Sequence, residues 1–334
     1  MSIGRIPNKN NSGQRGSSAA THTGAPRRRV LWVISGCLML TLAMLVFHCV
    51  YQLVDPIQTI KWADGSHYKG MMFQGKREGM GTFVWANGDT YVGNWVDNTM
   101  SGKGVLTTSE GVRYEGRWKA GELTGKATIE GPTGSYMGDV VRQKKHGFGE
   151  LIFADGSRYN GEFEHDKLSG RGRLVWVTGD QYEGTFKAGL LNGEGELILR
   201  DGRRYKGGFM AGEPEGNGMI SWPSGEQYTG AFRNGLRSGK GWYQWADGSY
   251  FEGNFVAGLP HGYGKMVWST GEMYTGQFVA GRRDDGEGDL SVVSFDPVSD
   301  GFASSNPSLS SYRLTAKRET SSDISSPDDP LRSR

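Results

Sequence analysis

Between Phe83 and Trp95 the chain reads FVWANGDTYVGNW, in which two aromatic runs flank an Asn-Gly pair. Aromatic residues alternate with other residues in both runs, which is typical of a strand with one buried face. Asn-Gly tolerates the positive φ angles of a tight hairpin turn, so the stretch predicts two antiparallel strands. The same pattern returns at residues 152–163, IFADGSRYNGEF, and at residues 267–278, VWSTGEMYTGQF. The chain is therefore built from a repeat.

The repeat unit opens with an aromatic residue that returns every 23 positions, except for one step of 22. Glycine follows two positions later in all ten units, and in eight of them a second aromatic residue follows two positions after that glycine. The opening residues are Tyr68, Tyr91, Tyr114, Tyr136, Tyr159, Tyr182, Tyr205, Tyr228, Phe251 and Tyr274. The residues taken to define the repeat are Tyr91, Gly93, Trp95, Tyr114, Gly116, Trp118, Tyr159, Gly161, Phe163, Tyr182, Gly184 and Phe186.

Each unit has the pattern of two short strands. Tyr-x-Gly-x-aromatic has a period of two, so its three key residues share one face of the first strand. A Gly-x-Gly pair and two alternating apolar residues mark the second strand, and residues 75–79 are expected to form the loop between the strands of the first unit. The missing Cβ of a strand glycine lets the aromatic ring of a neighbouring strand lie across the backbone. A lone unit buries too few apolar side chains to fold, so neighbouring units are expected to stabilise one another.

The unit at residues 182–204, YEGTFKAGLLNGEGELILRDGRR, resembles the MORN repeat, named for membrane occupation and recognition nexus. The resemblance covers residues 60–288, and it implies an all-β fold: an elongated, single-file array of antiparallel hairpins with about 20 strands. It also implies a scaffold that works at membranes or cytoskeletal structures, with protein partners and self-association, including a possible homodimer. Phospholipid binding is attributed to some members.

The chain departs from this repeat pattern in three places. Ala127 stands where a loop glycine is expected, the third unit is one residue short, and the tenth unit gains a residue at 282–288. The short third unit predicts a local bend in the array. The tenth unit is expected to act as a frayed cap.

Residues 30–50, VLWVISGCLMLTLAMLVFHCV, contain no formal charge. A helix of this length is long enough to cross a bilayer. Three arginines at 27–29 precede it, and their positive charge places the N-terminus in the cytoplasm. The pattern predicts an uncleaved, single-pass signal anchor. A cleaved signal peptide is the alternative, which the length of the run and the lack of a small-x-small cleavage site disfavour.

These patterns predict five segments along the chain. A disordered N-terminal tail (1–29) precedes the transmembrane helix (30–50), and a juxtamembrane linker (51–59) leads to the repeat array (60–288). The serine-rich C-terminal tail (289–334) lacks the repeat and has the composition of a disordered segment. The sequence does not indicate which membrane is involved.

Catalytic, metal-binding and cofactor-binding patterns are not found. The net charge of +2 gives no case for nucleic acid as a partner, and the two cysteines both lie in the apolar run. Each Gly-x-Gly pair leads into a strand rather than a helix, which excludes a phosphate loop. The histidines of the repeat region, His67, His146, His165 and His261, are scattered in sequence. We therefore expect a protein that is not an enzyme and needs no cofactor or metal.

Basic residues recur in loops at one edge of the array and form a candidate contact for anionic phospholipid. They are Lys76, Arg77, Lys144, Lys145, Arg237, Lys240, Arg282 and Arg283. The same edge carries Glu122 and Glu194, which would dilute the attraction, so a solvated edge is the alternative. Two main functions follow: a membrane-anchored scaffold that binds proteins, or a phospholipid-binding tether. A third hypothesis is a regulatory array within an enzyme complex.

Overall fold

The computed structural model describes Met39, residues 41–45 and Asp55–Asp284. The chain divides into two units, Met1–Val54 and Asp55–Arg334. Met39 and residues 41–45 are helical, and among the described residues no helix reaches the length and apolarity needed to cross a membrane. Most of the predicted span at 30–50 lies outside the described residues, as do both predicted tails and residues 285–288.

The second unit contains a single sheet of 21 strands. The strands are β1 (Asp55–Lys61), β2 (His67–Phe73), β3 (Lys76–Val84), β4 (Thr90–Val96), β5 (Thr99–Thr107), β6 (Arg113–Lys119), β7 (Glu122–Gly131), β8 (Gly134–Val141), β9 (Lys144–Phe153), β10 (Arg158–Glu164), β11 (Lys167–Val175), β12 (Gln181–Lys187), β13 (Leu190–Ile198), β14 (Arg204–Met210), β15 (Glu213–Ser221), β16 (Gln227–Arg233), β17 (Leu236–Gln244), β18 (Tyr250–Val256), β19 (Leu259–Val267), β20 (Met273–Val279) and β21 (Arg282–Asp284).

Each strand pairs in antiparallel fashion with the next strand in the sequence, from β1 and β2 to β20 and β21. The predicted array of successive antiparallel hairpins is therefore confirmed. The sheet begins at Asp55, so residues 55–59, expected to belong to a linker, form the start of β1 instead. They pair with β2, which gives the first full unit a neighbour on its N-terminal side.

The two strands of a unit are joined by a two-residue turn in which both residues have positive φ. Asp97 and Asn98, for example, have φ of 49° and 67°. The turns lie at 74–75, 97–98, 120–121, 142–143, 165–166, 188–189, 211–212, 234–235, 257–258 and 280–281. These values match the primed turns whose twist fits a hairpin. The expected loop at 75–79 is therefore wrong, because residues 76–79 already belong to β3.

Asn-Gly and Asp-Gly lie in the other set of turns, which join one unit to the next. Most of these turns have five residues, such as 85–89 between β3 and β4. In that turn only Gly88 has a positive φ, and its N–H donates to the carbonyl of Trp85 (2.9 Å). The predicted turn at Asn87-Gly88 is confirmed as the junction between two strands, but it is wider than a two-residue hairpin turn, because Asn87 does not adopt the second positive φ that such a turn requires.

One row of glycines runs across the sheet, with one residue on each strand from β2 to β20. Gly70 faces Gly81, Gly81 faces Gly93, and the same pairing continues to Gly276. Ala127 is the one exception in the row, facing Gly116 and Gly138. Ala127 was expected to replace a loop glycine, but it lies within β7.

The glycine row makes room for the tyrosine rings. A Cβ added to Gly161 would lie 2.4 Å from the Tyr159 hydroxyl oxygen, and one added to Gly172 would lie 2.3 Å from it. The ring of Tyr159 therefore covers a glycine of its own strand and the facing glycine of the next strand. In eight units the tyrosine hydroxyl donates a hydrogen bond to the carbonyl three residues later, as Tyr159 does to Glu162 (2.9 Å).

The tyrosines interlock with the second aromatic residue of each unit. Tyr159 lies edge-on to Phe163 of its own unit (5.2 Å between ring centroids) and to Phe186 of the next unit (5.0 Å). Tyr182 continues the chain with Phe186 and Phe209. Such perpendicular pairs are favourable beyond the area that they bury. Neighbouring units therefore share their aromatic side chains, as the resemblance to a repeat family predicts.

Hydrogen bonds also join neighbouring units at both edges of the sheet. At the edge with the two-residue turns, here called the hairpin rim, the N–H of Asn98 donates to the carbonyl of Arg77 (3.1 Å). At the opposite edge the N–H of Ser109 donates to the Asp89 carboxylate (2.8 Å). Each unit is thus fixed to its neighbour at both edges and along the aromatic chain.

Candidate interaction surfaces

The sheet has a buried face and an open face, because side chains alternate along each strand. β4 shows the alternation, with Tyr91 and Trp95 buried and Val92 and Val96 exposed. All twelve repeat-defining residues predicted from the sequence lie on the buried face. Their role is structural: the aromatic rings form the core and the glycines leave space for them.

Burial changes the acid–base behaviour of the tyrosines. Desolvation raises the pKa of Tyr68 to about 12, and it also raises the pKa of Tyr114 and Tyr159 above the usual phenol value. A protonated phenol is what the hydroxyl-to-carbonyl hydrogen bonds require, since a phenolate has no proton to donate. The tyrosines on the buried face are therefore neutral donors over the physiological pH range.

Two of the predicted lipid-contact residues, Arg77 and Arg237, lie on the buried face, with only 2% and 1% of their surface exposed. The Arg77 guanidinium lies 4.4 Å from the ring centroid of Trp95, and its Nη2 donates to the carbonyl of Asn98 (2.8 Å). Arg237 lies 4.9 Å from the ring centroid of Tyr243. The assignment of these two arginines to lipid contact is therefore corrected, because their charges are enclosed by aromatic rings.

Four other members of that set, Lys76, Lys144, Lys240 and Arg282, are exposed. Lys76, Lys144 and Arg282 open their strands at the hairpin rim, whereas Lys240 lies within β17. Lys76 forms an ion pair with Asp97. The remaining two members, Lys145 and Arg283, are half-buried. The Lys145 ammonium lies 5.9 Å from the ring centroid of Tyr136, and the Arg283 guanidinium lies 5.2 Å from that of Tyr274. The structure thus separates the predicted basic row into buried, half-buried and exposed members.

The open face differs in chemistry along the sheet. In units five and six, residues 159–204, it carries charged side chains, namely Arg171, Arg173, Glu183, Glu194 and Glu196. In the three units that follow, charged side chains such as Glu252 and Lys265 alternate with large apolar and aromatic ones. The latter are here called the open-face patch and defined as Met219, Trp242, Tyr250, Tyr263 and Met273. Tyr263 and Met273 are 62% and 63% exposed. Within the patch the rings of Trp242 and Tyr250 lie 6.2 Å apart.

The turns between units form a second surface, here called the tryptophan rim. Six of these turns begin with tryptophan, at Trp62, Trp85, Trp176, Trp222, Trp245 and Trp268. The backbone of each turn is fixed by the tryptophan, as in the hydrogen bond from the Trp245 N–H to the Ser249 carbonyl (2.9 Å). The indoles of Trp222, Trp245 and Trp268 are partly exposed.

Histidines 146 and 165 lie together, although they are 19 positions apart in the sequence. Their ring centroids are 5.7 Å apart. The contact follows from the repeat, because the turn at 165–166 packs against the start of β9, where the Lys145 N–H donates to the Asp166 carboxylate (2.8 Å). Alignment of successive units could have found this pair. In the described part of the chain, no three His, Cys, Asp or Glu side chains are grouped to hold a metal ion.

Comparison with solved structures finds distant likenesses. The TCP domain of Drosophila melanogaster SAS-4, solved with a proline-rich motif of Ana2, is 12% identical, with 53% of this chain and 90% of that one covered and a TM-score of 0.29. The TCP10 domain of Danio rerio CPAP is also 12% identical, with 66% and 93% covered and a TM-score of 0.25. Virginiamycin B lyase of Staphylococcus aureus is 10% identical, with 67% and 84% covered and a TM-score of 0.13. TM-scores this low carry no argument about fold or function.

No curated protein matches the chain. The MORN repeat matches it nine times, at residues 68–90, 91–113, 114–136, 136–158, 159–181, 182–202, 205–227, 228–250 and 251–273. The matches begin at the same aromatic residues that open the strand pairs of the sheet, and they cover more than half of the chain. The predicted tenth unit, from Tyr274, is outside the matches, although β20 and β21 extend the sheet there. The chain therefore belongs to the MORN-repeat family.

Proposed function

We propose that this protein is a non-catalytic scaffold that presents fixed surfaces of its sheet to protein partners. The observation that carries the proposal is the open-face patch. Tyr263 and Met273 expose most of their side-chain surface on strands that are paired with their neighbours. Aromatic residues and methionine are enriched in protein–protein interfaces, and large exposed apolar patches mark binding surfaces. A surface held by strand pairing also loses little conformational entropy on binding.

The same features favour a protein partner over an anionic lipid surface. Headgroup binding gains roughly 1 kcal/mol for each accessible basic residue. Arg77 and Arg237 contribute nothing of this kind while they are buried, and Lys76 already faces Asp97. In the open-face patch, by contrast, Tyr263 and Met273 expose 62% and 63% of their surface.

The proposal includes attachment to a membrane through residues 30–50, with the N-terminus in the cytoplasm. Its support is the uncharged apolar run and the three arginines that precede it. We expect the full-length protein to stay in the membrane pellet after alkaline carbonate extraction. A tag at the C-terminus should be protected from protease on intact cytoplasm-side-out vesicles. Digestion of the tag would mean that the protein has the opposite orientation.

A photo-crosslinking amino acid placed at Tyr263 of the full-length protein tests the scaffold function in cells. We expect a discrete crosslinked band from this position. The matched control places the same amino acid at Glu194, which is also exposed on the open face but lies in the charged region. A partner that uses the patch gives a band from Tyr263 and none from Glu194.

The mass of the crosslinked band separates two kinds of partner. A band of twice the mass of the protein indicates a homodimer, and any other mass indicates a different protein. Equal labelling at Tyr263 and Glu194, or no band from either position, contradicts the proposed role of the patch.

A further inference from the structure

Three consecutive units place a tryptophan at the same position of the tryptophan rim. Trp222, Trp245 and Trp268 each open a five-residue turn, and each indole is partly exposed. The turns are closed by equivalent hydrogen bonds, from the tryptophan N–H to the carbonyl of the fifth residue (3.0, 2.9 and 2.9 Å). The three turns therefore have equivalent backbone hydrogen bonding, and each carries its indole at the same position. The other described turns of this rim place no more than two tryptophans in succession.

The spacing of the indoles follows from the sheet. Each unit adds two strands, and neighbouring strands lie about 4.8 Å apart, so equivalent residues recur at roughly 10 Å. The buried ring of Tyr243 bridges two of the indoles, with ring centroids 5.9 Å from Trp222 and 4.8 Å from Trp245. This contact chain agrees with the expected interval.

The interval matches one type of extended peptide. A polyproline II helix has three residues per turn and rises 3.1 Å per residue, so equivalent side chains recur at about 9 Å. Every third residue of such a peptide would meet one indole. A β-strand, with a two-residue repeat of about 6.7 Å, does not match the interval, and an α-helix matches it only at every second turn, about 10.8 Å. Proline side chains also pack well on aromatic surfaces. Because the polyproline II conformation is formed before binding, such a peptide loses little conformational entropy when it binds.

The charge of the three turns adds a second requirement. Each turn carries one acidic residue and no lysine or arginine: Glu226, Asp247 and Glu272. Hydrogen bonds from Ser249 lower the pKa of Asp247, so this carboxylate is ionised at neutral pH. Glu272 also lines a hollow of about 380 Å³ together with Trp268, Met273 and Arg283. A ligand with basic side chains beside its prolines is complementary to this surface.

One intramolecular contact shows that an indole of this rim can accept a cation. The Arg283 guanidinium lies 5.6 Å from the ring centroid of Trp268. Cation–π attraction of this kind is favourable when the cation is partly desolvated. Lysine or arginine side chains of a bound peptide could use the exposed parts of the Trp222 and Trp245 indoles in the same way.

We propose that Trp222, Trp245 and Trp268 form a docking ladder for a proline-rich protein segment with basic flanking residues, bound in the polyproline II conformation. The inference rests on the proposed function, since it names the class of partner that one surface of the scaffold recognises. The partner lies along the tryptophan rim, and its prolines at every third position pack on successive indoles. Its basic residues face Glu226, Asp247 and Glu272.

Fluorescence anisotropy with the full-length protein tests this ladder. The probe is a labelled synthetic peptide with proline at every third position and arginine at both ends. We expect saturable binding that weakens with added salt, and a loss of about tenfold in affinity for Trp245→Leu, as is typical of an aromatic anchor. The matched control is Trp85→Leu, which changes the same turn position in the first unit and should leave affinity within about twofold.

Two further arms separate recognition from simple charge attraction. The peptide with alanine in place of each proline should bind at least about tenfold more weakly. Glu272→Lys changes an exposed residue outside the buried face, and it should weaken the arginine-flanked peptide even if Trp245→Leu disturbs folding. Equal binding of the alanine peptide, or an affinity that neither Trp245→Leu nor Glu272→Lys changes, overturns the proposal.

The two proposals can fail separately. If the peptide does not bind while the crosslink from Tyr263 persists, the docking ladder is refuted and the scaffold function stands. If the peptide binds to the ladder and no crosslink forms from the open face, the open-face patch loses its proposed role.

Discussion

The third and fifth units have the same sequence pattern but differ in how their opening tyrosine is packed. Tyr159 of unit five covers Gly161 and Gly172, lies edge-on to Phe163 and Phe186, and donates to the carbonyl of Glu162. In unit three Ala127 replaces the second glycine of the pair. A Cβ added to Gly116 would meet Leu123 and Ala127 rather than the ring of Tyr114.

Two substitutions, Ala127 and Val140, accompany this difference. The Ala127 Cβ occupies the space over the glycine row that a tyrosine ring fills elsewhere, so the Tyr114 ring lies in another position. The unit that follows places Val140 where most units have an aromatic residue. Among the described residues, the chain of edge-to-face rings is thus interrupted between Trp118 and Tyr136. Sharing of rings between neighbouring units therefore depends on both the glycine row and the aromatic residue at the second position, and not on the opening tyrosine alone.

Alkaline pH is expected to have the largest effect, because it acts on every buried tyrosine. An unfolded tyrosine ionises near pH 10, whereas burial raises the pKa of Tyr68 to about 12 and raises those of Tyr114 and Tyr159 as well. This contribution to stability is complete below about pH 10 and is lost as the pH rises through the folded pKa values. We expect phenolate absorbance and loss of strand circular dichroism to appear together.

Hydrogen exchange during the same titration distinguishes unit three from unit five. Amides of β6 to β8 should lose protection at a lower pH than those of β10 to β12, since unit three lacks the ring contacts that unit five makes. Phenolate formation without loss of strand signal contradicts the packing described for the tyrosines.

The second largest effect on stability is expected from removal of one aromatic ring that two units share. Phe163 is buried between Tyr136 and Tyr159, with ring centroids at 5.0 and 5.2 Å. Phe163→Ala is expected to cost about 3–5 kcal/mol of the free energy of unfolding, because a buried aromatic is lost and a cavity remains. The matched change Val140→Ala should cost about 2 kcal/mol, since fewer buried groups are removed. Urea unfolding of the full-length protein measures both, and equal costs would mean that the ring contacts add nothing.

Glycine-to-alanine and alanine-to-glycine substitutions in the glycine row should change stability by unequal amounts. Gly172→Ala puts a methyl group where the Tyr159 ring lies, and we expect a loss of about 2–3 kcal/mol from overpacking. The reverse change in unit three, Ala127→Gly, should alter stability by less than about 1 kcal/mol, because the added space is offset by backbone entropy. The same urea experiment applies. A tolerated Gly172→Ala shows that the row does not need glycine.

The smallest effect is expected from single hydroxyl groups. Tyr159→Phe removes a hydrogen bond to the carbonyl of Glu162 and should cost about 1 kcal/mol. Phe251 occupies this position naturally in unit nine, so the phenyl ring itself is accommodated there. Tyr114→Phe is expected to change stability by less than about 0.5 kcal/mol, since among the described residues the Tyr114 hydroxyl has no hydrogen-bond partner. A larger loss of stability for Tyr114→Phe than for Tyr159→Phe contradicts the difference in hydrogen bonding between the two hydroxyl groups.

The regular units could be predicted from the sequence because one physical rule acts in all of them. Alternation placed Tyr91, Gly93 and Trp95 on a common face, and the structure confirms it. The tight turns could not be predicted in the same way. Asp97-Asn98 and His165-Asp166 adopt positive φ at both positions without any glycine. There the pairing of the flanking strands fixes the positive φ angles without glycine. Asn87-Gly88, which has the residues of a hairpin turn, lies in a five-residue turn instead.

Candidate contact residues were harder to predict, because arginine is rarely buried and its position in the repeat, rather than its charge, decides its burial. Arg77 and Arg237 stand at the position that Met100 and Leu123 occupy in other units, and all four side chains are buried. Unit alignment alone could have shown that this position faces the core. It could not have shown that a guanidinium is accommodated there by Trp95 or Tyr243, because that depends on the distance between rings.

The hydrogen bonds at the two rims have a consequence for how the gene can change. Those between Arg77 and Asn98 and between Asp89 and Ser109 join residues 21 and 20 positions apart, so every link connects one unit to the next. Duplication of a whole unit would recreate all of these links, whereas an insertion of any other length within a strand would put later residues out of phase. The number of units can therefore vary by whole steps, and the length of the sheet can change without any new kind of contact.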